Sequence, residues 1–183
     1  TKANFVACHN YSYILKGYKI VQDVKPGGTF MLDCPWDLAA LEANVRAGID
    51  RALERFPEIE TLSVDTWGVD YVLLRGGEPV LPCYAYRDAR TNAVISEVHE
   101  RMPFSELYRR TGIQFQPFNT IYQLYCDKKS GKLENAKHFL MIPEYLSFKL
   151  TGEIRNEYTN ATTTNLVNAE SKQWDKYILD MLG

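Results

Sequence analysis

With 183 residues, 45% of them hydrophobic and 13% aromatic, the chain can bury the core of one ordinary domain. A formal net charge of −2 and a pI near 5.9 leave no basic stripe for nucleic acid and no polybasic anchor for a membrane. No apolar run approaches the roughly 20 residues that span a bilayer, and Thr1 to Tyr13 lack the charged-then-apolar order of a signal peptide.

Cys8, Cys34, Cys83 and Cys126 lie at wide, irregular spacing that fits neither a C-x-x-C metal site nor a disulfide scaffold. Free thiols in a cytoplasmic protein are the expectation, and in that compartment the sequon Asn160-Ala161-Thr162 carries no meaning. The chain begins with Thr1, which suggests residues upstream.

Residues Ala3 to Met31 alternate apolar and polar around Gly17 and Pro26-Gly27-Gly28, a pattern of antiparallel strands joined by turns. After Pro35 the period changes. Leu38, Leu41, Val45, Ile49, Leu53 and Phe56 fall on one helical face, with Asp37 as N-cap and Pro57 as stop. Thr61 to Val64 and Val69 to Leu74 read as two strand runs. Strand, helix and strand in that order make an α/β unit. Arg75-Gly76-Gly77-Glu78 then predicts a hairpin over Val69 to Leu81.

Tyr84 to Thr91 leads into a helix with Ile95, Val98 and Met102 on one side. Ser105 is placed to cap Glu106 to Arg110, with Gly112 as the C′ glycine. Gln114 to Asn119 reads as a loop or short strand and Thr120 to Asp127 as a helix. Lys128 to Lys132 reads as a solvated turn. Phe139 to Ile142 reads as a strand, and Pro143 opens a helix that Gly152 closes. Asn156 to Asn168 is rich in Thr and Asn, and within it the hydroxyls and amides of Tyr158 to Asn165 either satisfy the backbone of a buried irregular loop or bind a polar ligand. Gln173 to Leu182 reads as a last amphipathic helix.

Chemistry concentrates where the run Thr61 to Leu74 is broken by Asp65, Thr66, Trp67 and Gly68. A glycine inside a strand pattern marks a bulge or the close approach of a backbone or ligand. Trp67 offers a flat apolar face with one N–H donor, suited to one side of a sugar ring or to capping a sheet. Asp65 and Asp70 flank the step, either as an acid and base pair for glycoside hydrolysis or as supports bonded to the loop. Asp88 lies within reach of Arg87 and Arg90 for a loop-stiffening ion pair, leaving Tyr86 to pack on a ligand. His9, His99 and His138 lack ligand spacing and read as packing or surface residues, so no metal site is expected. The chain has no G-x-x-x-x-G-K-[ST] loop, no G-x-G-x-x-G and no G-x-S-x-G elbow.

Five blocks, in order, resemble the FGGY family of carbohydrate kinases: Asp65-Thr-Trp-Gly-Val-Asp-Tyr-Val-Leu-Leu74, Tyr86-Arg-Asp-Ala-Arg-Thr-Asn92, Thr111-Gly-Ile-Gln-Phe-Gln-Pro-Phe-Asn-Thr-Ile-Tyr-Gln-Leu124, Met141-Ile-Pro-Glu-Tyr-Leu-Ser-Phe-Lys-Leu-Thr-Gly152 and Glu157-Tyr-Thr-Asn-Ala-Thr-Thr-Thr-Asn-Leu-Val-Asn168. The resemblance covers roughly residues 33 to 183. It implies an α/β fold of the RNase H-like, actin-like ATPase type, a mixed sheet with flanking helices, of which residues 1–183 form most of the N-terminal, sugar-binding domain. It also implies transfer of the γ-phosphoryl group of ATP, with Mg2+, to a ketose hydroxyl, here the 1-hydroxyl of L-rhamnulose.

The resemblance places Trp67, Gly68, Val69, Tyr86 and Phe118 at the sugar, with Asp65, Asp70, Asp88, Arg90 and Asn119 supporting the loops. The family's Asp-x-Gly phosphate loop has no counterpart in Thr1 to Met31, and its general-base Asp is expected beyond Gly183. Tight binding of ATP or Mg2+ and phosphoryl transfer are therefore not expected of this chain alone. Self-association through surface uncovered by the missing parts is expected. Two alternatives to an L-rhamnulose kinase are a kinase for a related ketose and a non-catalytic sugar-binding or interaction module.

Overall fold

The structure, a computed structural model, describes residues 3–8, 24–32 and 37–182. Strands β1 (Ala3–Cys8) and β2 (Val24–Leu32) form a two-stranded sheet, and they run parallel rather than antiparallel. Pro26-Gly27-Gly28 is not a turn but part of β2. Ala3 pairs with Val24 and Phe5 with Thr29, so the extra residues of β2 form an irregularity in the ladder. The predicted bend at Gly17 and the residues Cys34 and His9 lie outside the described residues.

Helix α1 (Leu38–Arg55) starts where Asp37 accepts a hydrogen bond from the Ala40 amide at 2.9 Å, and it stops at Phe56 before Pro57. Leu38 is buried, and Leu41 and Val45 pack beside it. Farther along the same face Leu53 and Phe56 are 41% and 46% exposed, so of this stripe Leu38 alone is buried, with Leu41, Val45 and Ile49 half-buried. Thr61 to Val64 does not form the predicted strand. Thr61, Leu62 and Ser63 are exposed, and no described strand pairs with them, so the β-favouring residues lack the ladder that would fix them.

The second sheet has the order β4-β3-β5, from β3 (Tyr71–Arg75), β4 (Glu78–Pro79) and β5 (His138–Met141), all antiparallel. The β3–β4 hairpin turns on Gly76 and Gly77, with φ of +60° and +87° that favour glycine. In the β3–β5 ladder Tyr71 pairs with Met141 and Leu73 with Phe139. Successive side chains enter opposite cores. Tyr71, Leu73 and Met141 join one with Val98, Met102, Leu107, Ile121, Tyr122 and Ile178, whereas Val72, Leu74 and Leu140 join another with Leu38, Ile142, Tyr145 and Leu146. Both faces are covered, which is why β3 reads as a continuous apolar run.

A 3-10 turn (Ala89–Ala93) precedes α2 (Ile95–Arg101), which buries Val98 against the first core. Helix α3 (Phe104–Thr111) begins one residue before Ser105, with Pro103 rather than Ser105 at its N-cap, and ends at Gly112 in the left-handed conformation. Helix α4 (Thr120–Lys129) is buried along most of its length. The Lys128 to Lys132 stretch is not uniformly solvated: the Lys132 side chain is only 11% exposed, drawn in toward buried Asp127 and donating to the Pro82 carbonyl. Helix α5 (Ile142–Thr151) carries Pro143 in its first turn and ends at Gly152. Helix α6 (Tyr158–Thr162) and α7 (Lys176–Leu182) complete the described chain.

Candidate functional site

The end of the Thr61–Leu74 segment turns sharply at Val69. The Asp70 amide donates to the Gly68 carbonyl at 2.9 Å, and Val69 between them has φ of +65°. That is a γ-turn of the rare, strained kind, on a β-branched residue for which positive φ is costly. Side chains from elsewhere hold it. Thr163 Oγ1 accepts from the Val69 amide at 3.2 Å, and Thr120 Oγ1 and Gln123 Nε2 donate to the Val69 carbonyl at 2.7 and 3.2 Å.

Trp67 donates from Nε1 to Asp70 Oδ2 at 2.8 Å, and Asp70 is fully buried. Asp70 therefore orients the indole and is not open for proton transfer beside exposed Asp65. A Cβ placed on Gly68 would stand 3.0 Å from Thr163 Oγ1 and 3.1 Å from its Cγ2. The glycine thus answers a close approach from a side chain of this chain.

Trp67 and Gly68 line a cleft of about 380 Å3 whose near wall includes Asp65 and Thr66, and whose far wall is Pro143, Glu144, Glu157, Thr159 and Asn160. Glu144, at the start of α5, accepts from the Glu157 amide and from Asn160 Nδ2, both at 3.3 Å. Burial raises its carboxyl above the ordinary range, against those bonds. Glu157 caps α6, accepting from the Thr159 hydroxyl and from the Thr159 and Asn160 amides, and these bonds, the hydroxyl's first, lower its carboxyl below the ordinary range. An indole, carboxylates, an amide and a hydroxyl around one space suit a ligand rich in hydroxyl groups. Among the described residues no group of three or more His, Cys, Asp or Glu side chains could hold a metal ion.

Tyr86 and Phe118 do not line that cleft. They meet each other edge to face, with ring centroids 5.3 Å apart, and the Arg87 guanidinium covers Tyr86 at 4.8 Å. Asp88 accepts from the Arg90 amide at 2.8 Å and caps the 3-10 turn. The Arg90 guanidinium pairs with buried Asp127 instead, stacked 4.1 Å over the Tyr84 ring, while Tyr71 donates its hydroxyl to the other Asp127 oxygen. Asn119, at the N-cap of α4, accepts from the Gln116 amide at 2.7 Å and so shapes the loop carrying Phe118. Glu144, Asn160, Thr163, Thr120 and Gln123 were not singled out from sequence. Thr163 and Asn160 lie in the Thr- and Asn-rich run, which was the available signal.

A profile of the N-terminal domain of the FGGY family of carbohydrate kinases matches residues 33–183. The chain belongs to that family. Within the FGGY family it is 50% identical over 151 residues to a rhamnulokinase of Halalkalibacterium halodurans, covering 81% of this chain and 32% of that protein. Against a rhamnulokinase of Mannheimia succiniciproducens the identity is 48% over 151 residues, with 81% and 31% covered. The chain thus spans about one third of the length of these curated relatives. A xylulose kinase structure from Rhodospirillum rubrum superimposes with a TM-score of 0.72 at 15% identity, over 81% of this chain and 32% of that one. The fold is accordingly the α/β fold of the actin-like ATPases.

Proposed function

We propose that residues 1–183 are most of the N-terminal, sugar-binding domain of a kinase that transfers the ATP γ-phosphoryl group to the 1-hydroxyl of L-rhamnulose in the cytoplasm. The observation that carries this reading is the identity of about one half over 151 residues to rhamnulokinases, beside a family match over residues 33–183 that includes every candidate site residue. The geometry supports the sugar side of it. Trp67, held by Asp70, borders the polar cleft, and Gly68 brings backbone to the same place. Tyr86 and Phe118, outside that cleft, form a separate aromatic pair that the family resemblance assigns to the sugar.

ATP and Mg2+ are assigned to the whole kinase. No group of three or more His, Cys, Asp or Glu side chains that could hold a metal ion occurs among the described residues. In this reading the phosphate loop, the general base and the second domain belong to other parts of the kinase, and this chain alone binds sugar without transferring phosphate. No helix among the described residues is long and apolar enough to cross a membrane.

Calorimetric titration of the chain with L-rhamnulose, L-ribulose and D-xylulose tests the reading. Saturable binding is expected with L-rhamnulose preferred. A stronger response to another ketose would move the substrate, and no response to any would remove the sugar-site assignment.

A further inference from the structure

The proposed sugar residues fall into two groups: Trp67 and Gly68, which line the cleft, with Val69 next to them in the chain, and Tyr86 and Phe118, which do not line it. One side chain joins them. Gln123, 2% exposed in α4, donates from its Nε2 both to the Val69 carbonyl at 3.2 Å and to the Phe118 carbonyl at 2.9 Å. We infer that Gln123 is a positioning residue that sets the spacing of the two walls, and through it the affinity for the sugar. This inference depends on the ketose-site reading above.

The chemistry of the carboxamide suits the task. Its NH2 group carries two N–H bonds diverging by about 120°, enough to reach two carbonyl oxygens at once, and it is neutral. A carboxylate of the same shape would set negative charge against two carbonyl dipoles, and a methionine would fill the volume without donating.

Val69 does not depend on Gln123 alone. Thr120 also donates to its carbonyl and Thr163 accepts from its amide, so the strained turn keeps two anchors when Gln123 is changed. The Phe118 carbonyl loses its bond from Gln123, and the loop carrying that ring gains freedom relative to Trp67. Rigid walls matter because an ordered site spares the ligand the cost of ordering it.

The test compares Gln123→Met, Gln123→Glu and Thr120→Val in the full chain by calorimetry with L-rhamnulose and by thermal melting. Gln123→Met is expected to lower the melting temperature, since two bonds of a buried side chain are lost, and to loosen the unliganded site enough to weaken binding roughly tenfold. Gln123→Glu is expected to weaken it further. Thr120→Val removes a Val69 anchor but keeps the link to Phe118, so it should also lower the melting temperature yet weaken sugar affinity less than Gln123→Met.

A Gln123→Met chain that binds L-rhamnulose like the unaltered chain overturns the inference and leaves the ketose reading standing. So do affinities that fall only in step with melting temperature across the three variants. Failure of the unaltered chain to bind any ketose overturns both. Amide hydrogen exchange on the unaltered chain needs no variant to fold: saturating L-rhamnulose should slow exchange in residues 67–70 and 116–120 together, and protection of one segment alone overturns the coupling.

Discussion

Gly68 and Thr163 are packed so closely that a single methyl group on the glycine would fall 3.0 Å from the threonine hydroxyl oxygen. The same hydroxyl accepts from the Val69 amide and donates to the Asn160 carbonyl, so it locks the γ-turn onto the end of α6. Gly68→Ala is expected to cost about 1 to 3 kcal/mol of stability through overpacking. In a double-mutant cycle by urea unfolding, Gly68→Ala with Thr163→Ala should cost less than the sum of the single changes. Simple additivity would mean the two side chains do not meet.

Asp127 is 1% exposed and takes Arg90 on one oxygen and Tyr71 on the other, with Lys132 at 3.7 Å. Its removal strands two cations in a half-buried setting. Asp127→Asn should therefore destabilise the chain by roughly 3 to 5 kcal/mol, and Arg90→Met made together with it should restore part of that loss. Chemical denaturation measures both, and a loss of under about 1 kcal/mol for Asp127→Asn would show that the pair is replaceable by solvent.

Asp175 caps α7 through the Tyr177 and Ile178 amides and accepts from Asn168 and Arg110. Burial pushes its carboxyl up, but those bonds outweigh it and hold the group below the ordinary range. The folded state thus favours the ionised form. This contribution is complete above the unfolded value of about 3.9 and is lost as pH falls through the lower folded value. Asp175→Asn should be less stable than the unaltered chain by roughly 1 to 2 kcal/mol at pH 7, with the gap closing as pH falls below the unfolded value of about 3.9. A gap independent of pH would assign the effect to packing.

Leu53, Phe56, Ile59 and Leu62 are each at least 41% exposed at the end of α1 and just beyond it. Such a run of apolar surface favours association. Sedimentation should show concentration-dependent self-association that Phe56→Ser with Leu62→Ser reduces. A monomer at all concentrations would contradict it.

The local punctuation of the fold was legible in sequence: the 3.6-residue period of α1 after Asp37, the glycine pair of the β3–β4 hairpin, and Gly112 and Gly152 at helix ends all describe interactions within a few residues. What failed were statements about partners. Alternation in Ala3 to Met31 signals extended chain but says nothing of which way its neighbour runs, and Thr61 to Val64 has strand composition without a described partner. Around the candidate site the same limit holds. Thr163 lies 94 residues from Val69 and Gln123 lies 54 from it, so nothing in the order of residues announces that they meet. Gly68 stood out as a close approach, but the sequence did not say that the approaching group is a threonine of the same chain.

The central claim, that Trp67 forms part of a ketose site carried by this chain, is tested most directly by calorimetric titration of the chain and its Trp67→Ala variant with L-rhamnulose. The expected result is saturable binding to the chain and a loss of affinity of about tenfold or more in the variant, given the contact area of an indole face. Equal affinity in the two proteins, with the variant folded, would contradict it.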